Sequence, residues 1–344
     1  MVSVLELLRE LCSLGGVSGV EDEVRAYISR RAGEYADEIK TDAIGNLMAL
    51  RKGKRKGRTL MLCAHMDEVG LIVKNITDDG FLKFGCCGGI DRRVLIGRRV
   101  RVGEGKTPGV IGIKAYHHVS KSEEKNVPKI EDMYIDVGAS NREEGEKLAS
   151  LGDRCVFESA WREFGQGFIK ARALDDRVGC AVLLTLLESE PAVDTWFVFT
   201  AQEEVGTRGA ACAAYALDPD ISLIVEGTTA ADTPSAEEHT GVCRAGGGVV
   251  LPFMDRVTIY DRGLFELLRS LADEHKIPWQ RKEYISGGTD GAAVQRSRSG
   301  VRTAGIAAPV RYIHSPASVV KKDDLDAVLR LAGLFIDRMG ESDV

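Results

Sequence analysis

No apolar stretch of this chain approaches the roughly 20 residues that a membrane-spanning helix needs, which excludes an integral helical membrane protein. The first 16 residues are apolar on one face only and are broken by Glu6, Arg9 and Glu10, so they lack the basic start and continuous apolar centre of a secretory signal. None of the eight cysteines (12, 63, 86, 87, 155, 180, 212 and 243) belongs to a C-x-x-C pair. Scattered through apolar segments, they are expected to be reduced and buried, as in a cytoplasmic protein. The adjacent Cys86 and Cys87 are a minor redox or metal candidate. Internal repeats and low-complexity segments are missing. So is an excess of one charge: 46 Lys and Arg against 52 Asp and Glu leave a net −6, well mixed, with no overall field for nucleic acid or an anionic membrane. The one basic run, KGKRKGR at residues 52–58, lies between strand-like segments 46–50 and 59–64 and reads as a solvated hairpin loop.

What is present is enough chain, 344 residues, for about two domains. Leu5, Leu8 and Cys12, then Val24, Tyr27 and Ile28, recur at helical spacing on either side of Gly15-Gly16-Val17-Ser18-Gly19, which predicts two N-terminal helices. Across residues 69–162 the pattern changes to short β-prone pieces at 71–73, 81–84, 98–102, 110–113 and 133–136, separated by Gly and Pro. That texture predicts a small barrel or sandwich inserted into a larger unit. Residues 114–130 are charged and are expected to form a mobile loop, with His117 and His118 exposed rather than ligating. After residue 165, helices near 177–187, 207–217, 264–275 and 323–339 alternate with strands 195–201 and 221–225, the pattern of an open α/β sheet covered by helices. The expected division is a catalytic α/β unit, 1–68 with 163–344, and an all-β insertion, 69–162.

Six side chains able to bind metal sit beside the apolar strand-like runs: His65, Asp175, Glu203, Glu204, Glu226 and His314. His65 ends the segment 59–64, where open α/β sheets place their ligand crevice, and Asp67 points the same way on an extended chain. Asp67 is then placed to orient the second ring nitrogen of a metal-bound His65, although H-x-D also suits a surface turn. Asp175 and Asp176 precede a helix, so either is an ordinary N-cap, and one can bridge two cations while the other caps. Glu203 and Glu204 follow the apolar Trp196-Phe197-Val198-Phe199-Thr200; one is suited to ligate metal and the other to act as a general base, with a solvated loop as the plain alternative. Glu226 ends another apolar strand, with Asp232 as the competing choice. His314 alone reads as a packing or solvent-facing histidine, and its case rests on the others.

The motifs AHMDEVG, ALDDRVGC, AQEEVGTRGA, VEGTTAADTP, SGGTDGAA and RYIHSP, in this order over nearly the whole chain, resemble the M42 family of metallo-aminopeptidases, some of whose members are labelled endoglucanases. The resemblance implies a zinc-exopeptidase-like sheet with a barrel-like dimerisation insertion, and peptide substrates. It also implies two divalent cations per subunit, zinc or cobalt before manganese. Asp175 would bridge them, His65 and Glu226 completing one and Glu204 and His314 the other. Glu203 would be the general base, with Asp67 behind His65. The family often has Asp where Glu226 stands, so this chain departs there by one methylene. Dimers assembling into a hollow dodecamer are implied as well, which would restrict access to peptides. Four readings are carried forward: the aminopeptidase; a related dinuclear deacylase or carboxypeptidase; a glycoside hydrolase using Glu203 and Glu204; and a catalytically silent peptide-binding scaffold. The glycosidase needs two carboxyls facing each other across the bond, whereas neighbours on one strand end diverge.

Overall fold

The structure is a computed structural model that describes residues 2–234 and 241–341. Along the chain come α1 (Val4–Leu11), α2 (Asp22–Ala32), β1 (Glu38–Thr41), β2 (Leu47–Arg51) and β3 (Arg55–His65). Next are β4 (Gly70–Ile76), β5 (Leu82–Cys87), β6 (Arg99–Val102), β7 (Thr107–Gly112), β8 (Tyr134–Asp136), α3 (Arg142–Leu148) and β9 (Arg154–Phe157). The chain continues through β10 (Arg162–Phe164), β11 (Phe168–Ala171), α4 (Leu174–Leu187), β12 (Val193–Thr200), α5 (Arg208–Leu217) and β13 (Ile221–Thr229). It closes with β14 (Val249–Leu251), α6 (Arg262–Glu274), β15 (Trp279–Arg281), α7 (Gly291–Val294), β16 (Arg302–Val310), β17 (Ser318–Lys321) and α8 (Lys322–Arg338).

The apolar strands read near-continuously because both faces of their sheet are covered. Along β3, Leu60, Leu62 and Ala64 pack with residues of α1, α4 and α8, while Met61 and Cys63 pack with α5 and α7 on the other face. The eight strands run in the order β1-β2-β12-β3-β13-β16-β14-β15, with β12, β3, β13 and β16 mutually parallel at the centre. α4 lies across β3 and β13, and the fit is close: a Cβ on Gly179 would meet Asp176 Oδ2 at 2.4 Å and the Val225 carbonyl at 2.5 Å. Strands β10, β11 and β17 form a separate three-stranded sheet.

Strands β4, β5, β8, β7, β6 and β9 close into a barrel around its own core of Leu71, Phe84, Val100, Ile135 and Phe157, among others. Closure removes the exposed edges a sandwich would leave, and decides between the two expected forms. One helix inside this stretch was not expected. Its sequence, REEGEKL, carries charge rather than an apolar stripe, and it is held by the Asn141 side chain accepting from the Glu144 amide and by exposed i,i+4 pairs.

The hairpin expected at residues 52–58 does not form. β12 pairs with both β2 and β3 and so separates them, and β3 begins within the basic run at Arg55. The cysteines also depart in part from expectation: all eight are free thiols, but Cys212 is exposed and Cys86 and Cys87 are half-buried. His117 and His118 are exposed as expected. No helix among the described residues is long and apolar enough to cross a membrane.

Candidate metal centre

Four parallel strands deliver acids and imidazoles to one crevice at their carboxyl ends, where such sheets bind ligands. β3 ends at His65, in register with Thr200 of β12, after which the chain turns into Glu203 and Glu204. β13 pairs with β3 only as far as Ile224, then continues beside β16 to Thr229. Glu226 therefore lies inside a strand rather than at its end, on an overhang with one free edge. His314 follows β16.

The six candidate side chains converge. Asp175 lies between the two imidazoles, Oδ1 3.3 Å from His65 Nε2 and Oδ2 3.4 Å from His314 Nε2. Glu226 Oε2 is 3.6 Å from the same His65 nitrogen, and Glu204 Oε2 is 3.3 Å from His314 Nε2. Glu203 lines the same cavity, of about 210 Å³, with Gly287, Gly288 and Thr289 also on its wall. The ligand atoms of His65, Asp175 and Glu204 all lie within 4.8 Å of one another, as do those of His65, Asp176 and Glu226. No cysteine belongs to either group, and Cys86 and Cys87 gain no support as ligands.

Asp67 does more than expected of it. The nearest contact of His65 Nδ1 is the Asp67 carbonyl at 3.1 Å, with its carboxylate at 3.5 Å. The carboxylate itself accepts from the amides of Glu203 (2.9 Å) and Glu204 (3.1 Å) and from the Ser18 hydroxyl (2.6 Å), so it fixes the backbone of the two glutamates. Asp176, whose own backbone within the first turn of α4 is not helical, accepts from the Gly179 amide at 2.9 Å, capping the regular part of the helix that follows, and from the His65 amide at 3.3 Å. Both of its oxygens are thereby engaged. The alternative ligand Asp232 is taken by Arg311 through two contacts of 2.8 and 2.6 Å and lies outside the crevice. Gly89, just past β5 of the barrel, lies against His314: a Cβ there would sit 3.6 Å from its Nδ1.

Beneath the crevice, Glu68 is buried against two arginines. Arg172 donates to its Oε1, Arg177 Nη2 lies 3.4 Å from the same oxygen, and the Gly16 amide donates to it at 3.1 Å. Arg177, fully buried, also donates to the carbonyls of Met66 and Leu11, tying the segment after β3 to α1. The backbone takes left-handed conformations at Ala173, Gln202 and His314 (φ 54°, 59° and 56°), and the Asp175–Asp176 peptide is cis. The left-handed backbone at these three non-glycine residues, all flanking the crevice, is of the uncommon kind that clusters at functional sites.

The electrostatics show a site short of positive charge. Burial, with the charges of Asp290, Glu204 and Asp175, pushes the Glu203 carboxyl well above its usual range. Burial likewise raises Glu226 strongly and Glu204 to about 7. Burial disfavours both imidazolium ions, but contact with Asp175 and the neighbouring acids lifts His65 well above its ordinary value and His314 to about 9. Glu204 Oε1 and Glu226 Oε1 are buried without any hydrogen-bond donor. Buried carboxylate oxygens left unpaired are costly, and cations among them remove that cost. The donor set of imidazole nitrogens and carboxylate oxygens thus fits divalent metal, and its lack of thiolate suits zinc, cobalt or manganese.

Ser18, Lys282 and Asp290 were not singled out from the sequence. Asp290 was visible only within the motif SGGTDGAA; it is buried and accepts from the Thr200 hydroxyl at 2.5 Å. Nothing marks Lys282 among the charged residues around it.

Comparison with known proteins agrees. The family model for M42 glutamyl aminopeptidase matches residues 45–331. The lysyl aminopeptidase of Pyrococcus furiosus is 30% identical over 353 residues, which cover 98% of this chain and 98% of that protein. The TET aminopeptidase of a marine sediment archaeon of the Thaumarchaeota superposes with a TM-score of 0.94 at 33% identity, covering 98% of this chain and 96% of that one. The TET1 peptidase of Pyrococcus horikoshii, described as assembling into a tetrahedron or a large octahedral shell, does so with a TM-score of 0.86 at 33% identity, covering 97% and 99%. Fold and comparisons together define a peptidase of the aminopeptidase class. The chain belongs to the M42 family.

Proposed function

We propose that this protein removes the N-terminal residue of peptides at a dinuclear metal site bridged by Asp175. The observation that carries the reading is the position of Asp175, each of whose carboxylate oxygens faces a different imidazole. His65 and Glu226 would hold one cation, and Glu204 and His314 the other, as their distances pair them. When bound, the two cations would supply Lewis acidity toward the scissile carbonyl and the attacking water. Glu203 accepts the proton of the attacking water and returns it to the leaving amine, and the Asp67 carboxylate holds Glu203 in place through its amide. The acids of the crevice also offer partners for a free α-ammonium group, which an aminopeptidase must recognise.

We further propose that residues 69–162 serve subunit contacts, that the protein forms a homo-oligomeric shell admitting peptides rather than folded proteins, and that it works in the cytoplasm. The shell-forming TET1 peptidase and the eight free thiols support these readings. The test is hydrolysis of a peptide with a free against an acetylated N-terminus, by metal-loaded and chelator-treated protein. Cleavage of the free form alone, lost on chelation, is expected. Equal cleavage of both forms would point instead to a deacylase or endopeptidase.

A further inference from the structure

Lys282 follows β15, and its backbone is fixed by donation to the Leu251 carbonyl at 3.1 Å. It is the one lysine or arginine among the described residues lining the metal-site cavity, and it is only 6% exposed. Its ammonium makes a single hydrogen bond, to the Ser286 carbonyl at 2.9 Å, and no ion pair among the described residues. Asp255 is already saturated by the amides of Val257 and Thr258 and the hydroxyls of Tyr260 and Thr289. An ammonium has three donors. Two are unused here, in a buried position where an unpaired charge is costly. The cavity wall beside it carries Val250, Pro252 and Ile306, apolar surface suited to a short methylene stem.

Resting on the aminopeptidase reading, we infer that Lys282 is a specificity-determining residue that pairs with the side-chain carboxylate of an acidic N-terminal residue, glutamate or aspartate. A carboxylate entering the cavity supplies the partner that the protein withholds, while a lysine or arginine side chain there would meet an unpaired like charge. Burial holds the Lys282 pKa below the ordinary lysine value, against the opposing fields of Asp255 and Glu226, and a bound carboxylate would act in the same sense as those acids.

The test compares kcat/KM for Glu-, Asp-, Leu- and Lys-p-nitroanilides in the metal-loaded native chain, Lys282→Met, Lys282→Arg and Lys282→Glu, with calorimetric binding of free L-glutamate alongside. The native chain is expected to prefer the acidic anilides. Lys282→Met should lower the Glu-to-Leu ratio by about 30-fold or more, the scale of truncating one partner of a buried charge pair. Lys282→Arg should preserve the acidic preference, and Lys282→Glu should shift it toward Lys-anilide. Glutamate binding should weaken in Lys282→Met. Equal loss on all four substrates would show a merely structural role and overturn the inference, as would a native chain that favours Leu- or Lys-anilide. If no unblocked anilide is cleaved, the aminopeptidase reading fails, whereas Lys282-dependent glutamate binding would still show an acid-recognising site.

Discussion

Asp175 and Asp176 are adjacent and chemically alike, yet they do different work, and the difference lies in their hydrogen bonds. Asp176 spends its oxygens on two backbone amides, whereas Asp175 faces two imidazoles. Sequence could name the pair but not assign the roles, because both readings use a carboxylate at the start of a helix. The same holds for Glu226 against Asp232: only the structure shows that Asp232 is ion-paired to Arg311 while Glu226 lines the crevice. Asp175→Asn, which keeps the shape but removes the charge, is expected to lower metal occupancy, measured by elemental analysis of the dialysed protein. Glu203→Gln is expected to retain metal and lose kcat by about 10²–10⁴-fold, the scale of general-base catalysis. Near-native turnover in the Glu203 variant would show that another group takes the proton.

At the scale of elements, the long amphipathic helices and the apolar central strands were legible because their periodicity is set by burial on one or both faces. Those that escaped lack that signal. β1 (Glu38–Thr41) is a polar edge strand, β14 and β15 are three residues each, and β16 is diluted by Ala, Gly and Pro. The hairpin error at 52–58 has a related cause: adjacency in sequence suggested pairing, but the strand between β2 and β3 arrives only at Val193. The segment from His65 to Glu68 shows how elements hold the site, since Glu68 joins Arg172 before α4, Arg177 within it and the Gly16 amide. Glu68→Ala would leave two buried guanidinium groups without their carboxylate and is expected to cost about 3–5 kcal/mol. Chemical denaturation with an unchanged m-value checks it. A loss below 1 kcal/mol would show that the carbonyl acceptors suffice.

On the scale of the whole molecule, a closed barrel stands within the α/β unit and reaches its crevice through Gly88 and Gly89. A sharp change in sequence texture made the insertion legible; the contact with His314 was not, because it depends on how the two packed units meet. Exposed apolar side chains remain on the surface, among them Tyr116, Leu151, Val257 and Ile259. Singly such groups are ordinary; it is the likeness to a peptidase described as forming a tetrahedron or a large octahedral shell that leads us to expect assembly in solution. Light scattering should give a mass that is a high multiple of the 37.3 kDa chain, and a monomer at micromolar concentration would refute it.

All of these expectations depend on cations in the crevice, and counting them is the most direct test. Protein stripped with a chelator, reloaded with zinc or cobalt and dialysed is predicted to hold two metal ions per chain, with the loss of at least one in Asp175→Asn. One ion or none per chain in the native protein, or two retained in Asp175→Asn, would contradict a dinuclear centre bridged by that carboxylate.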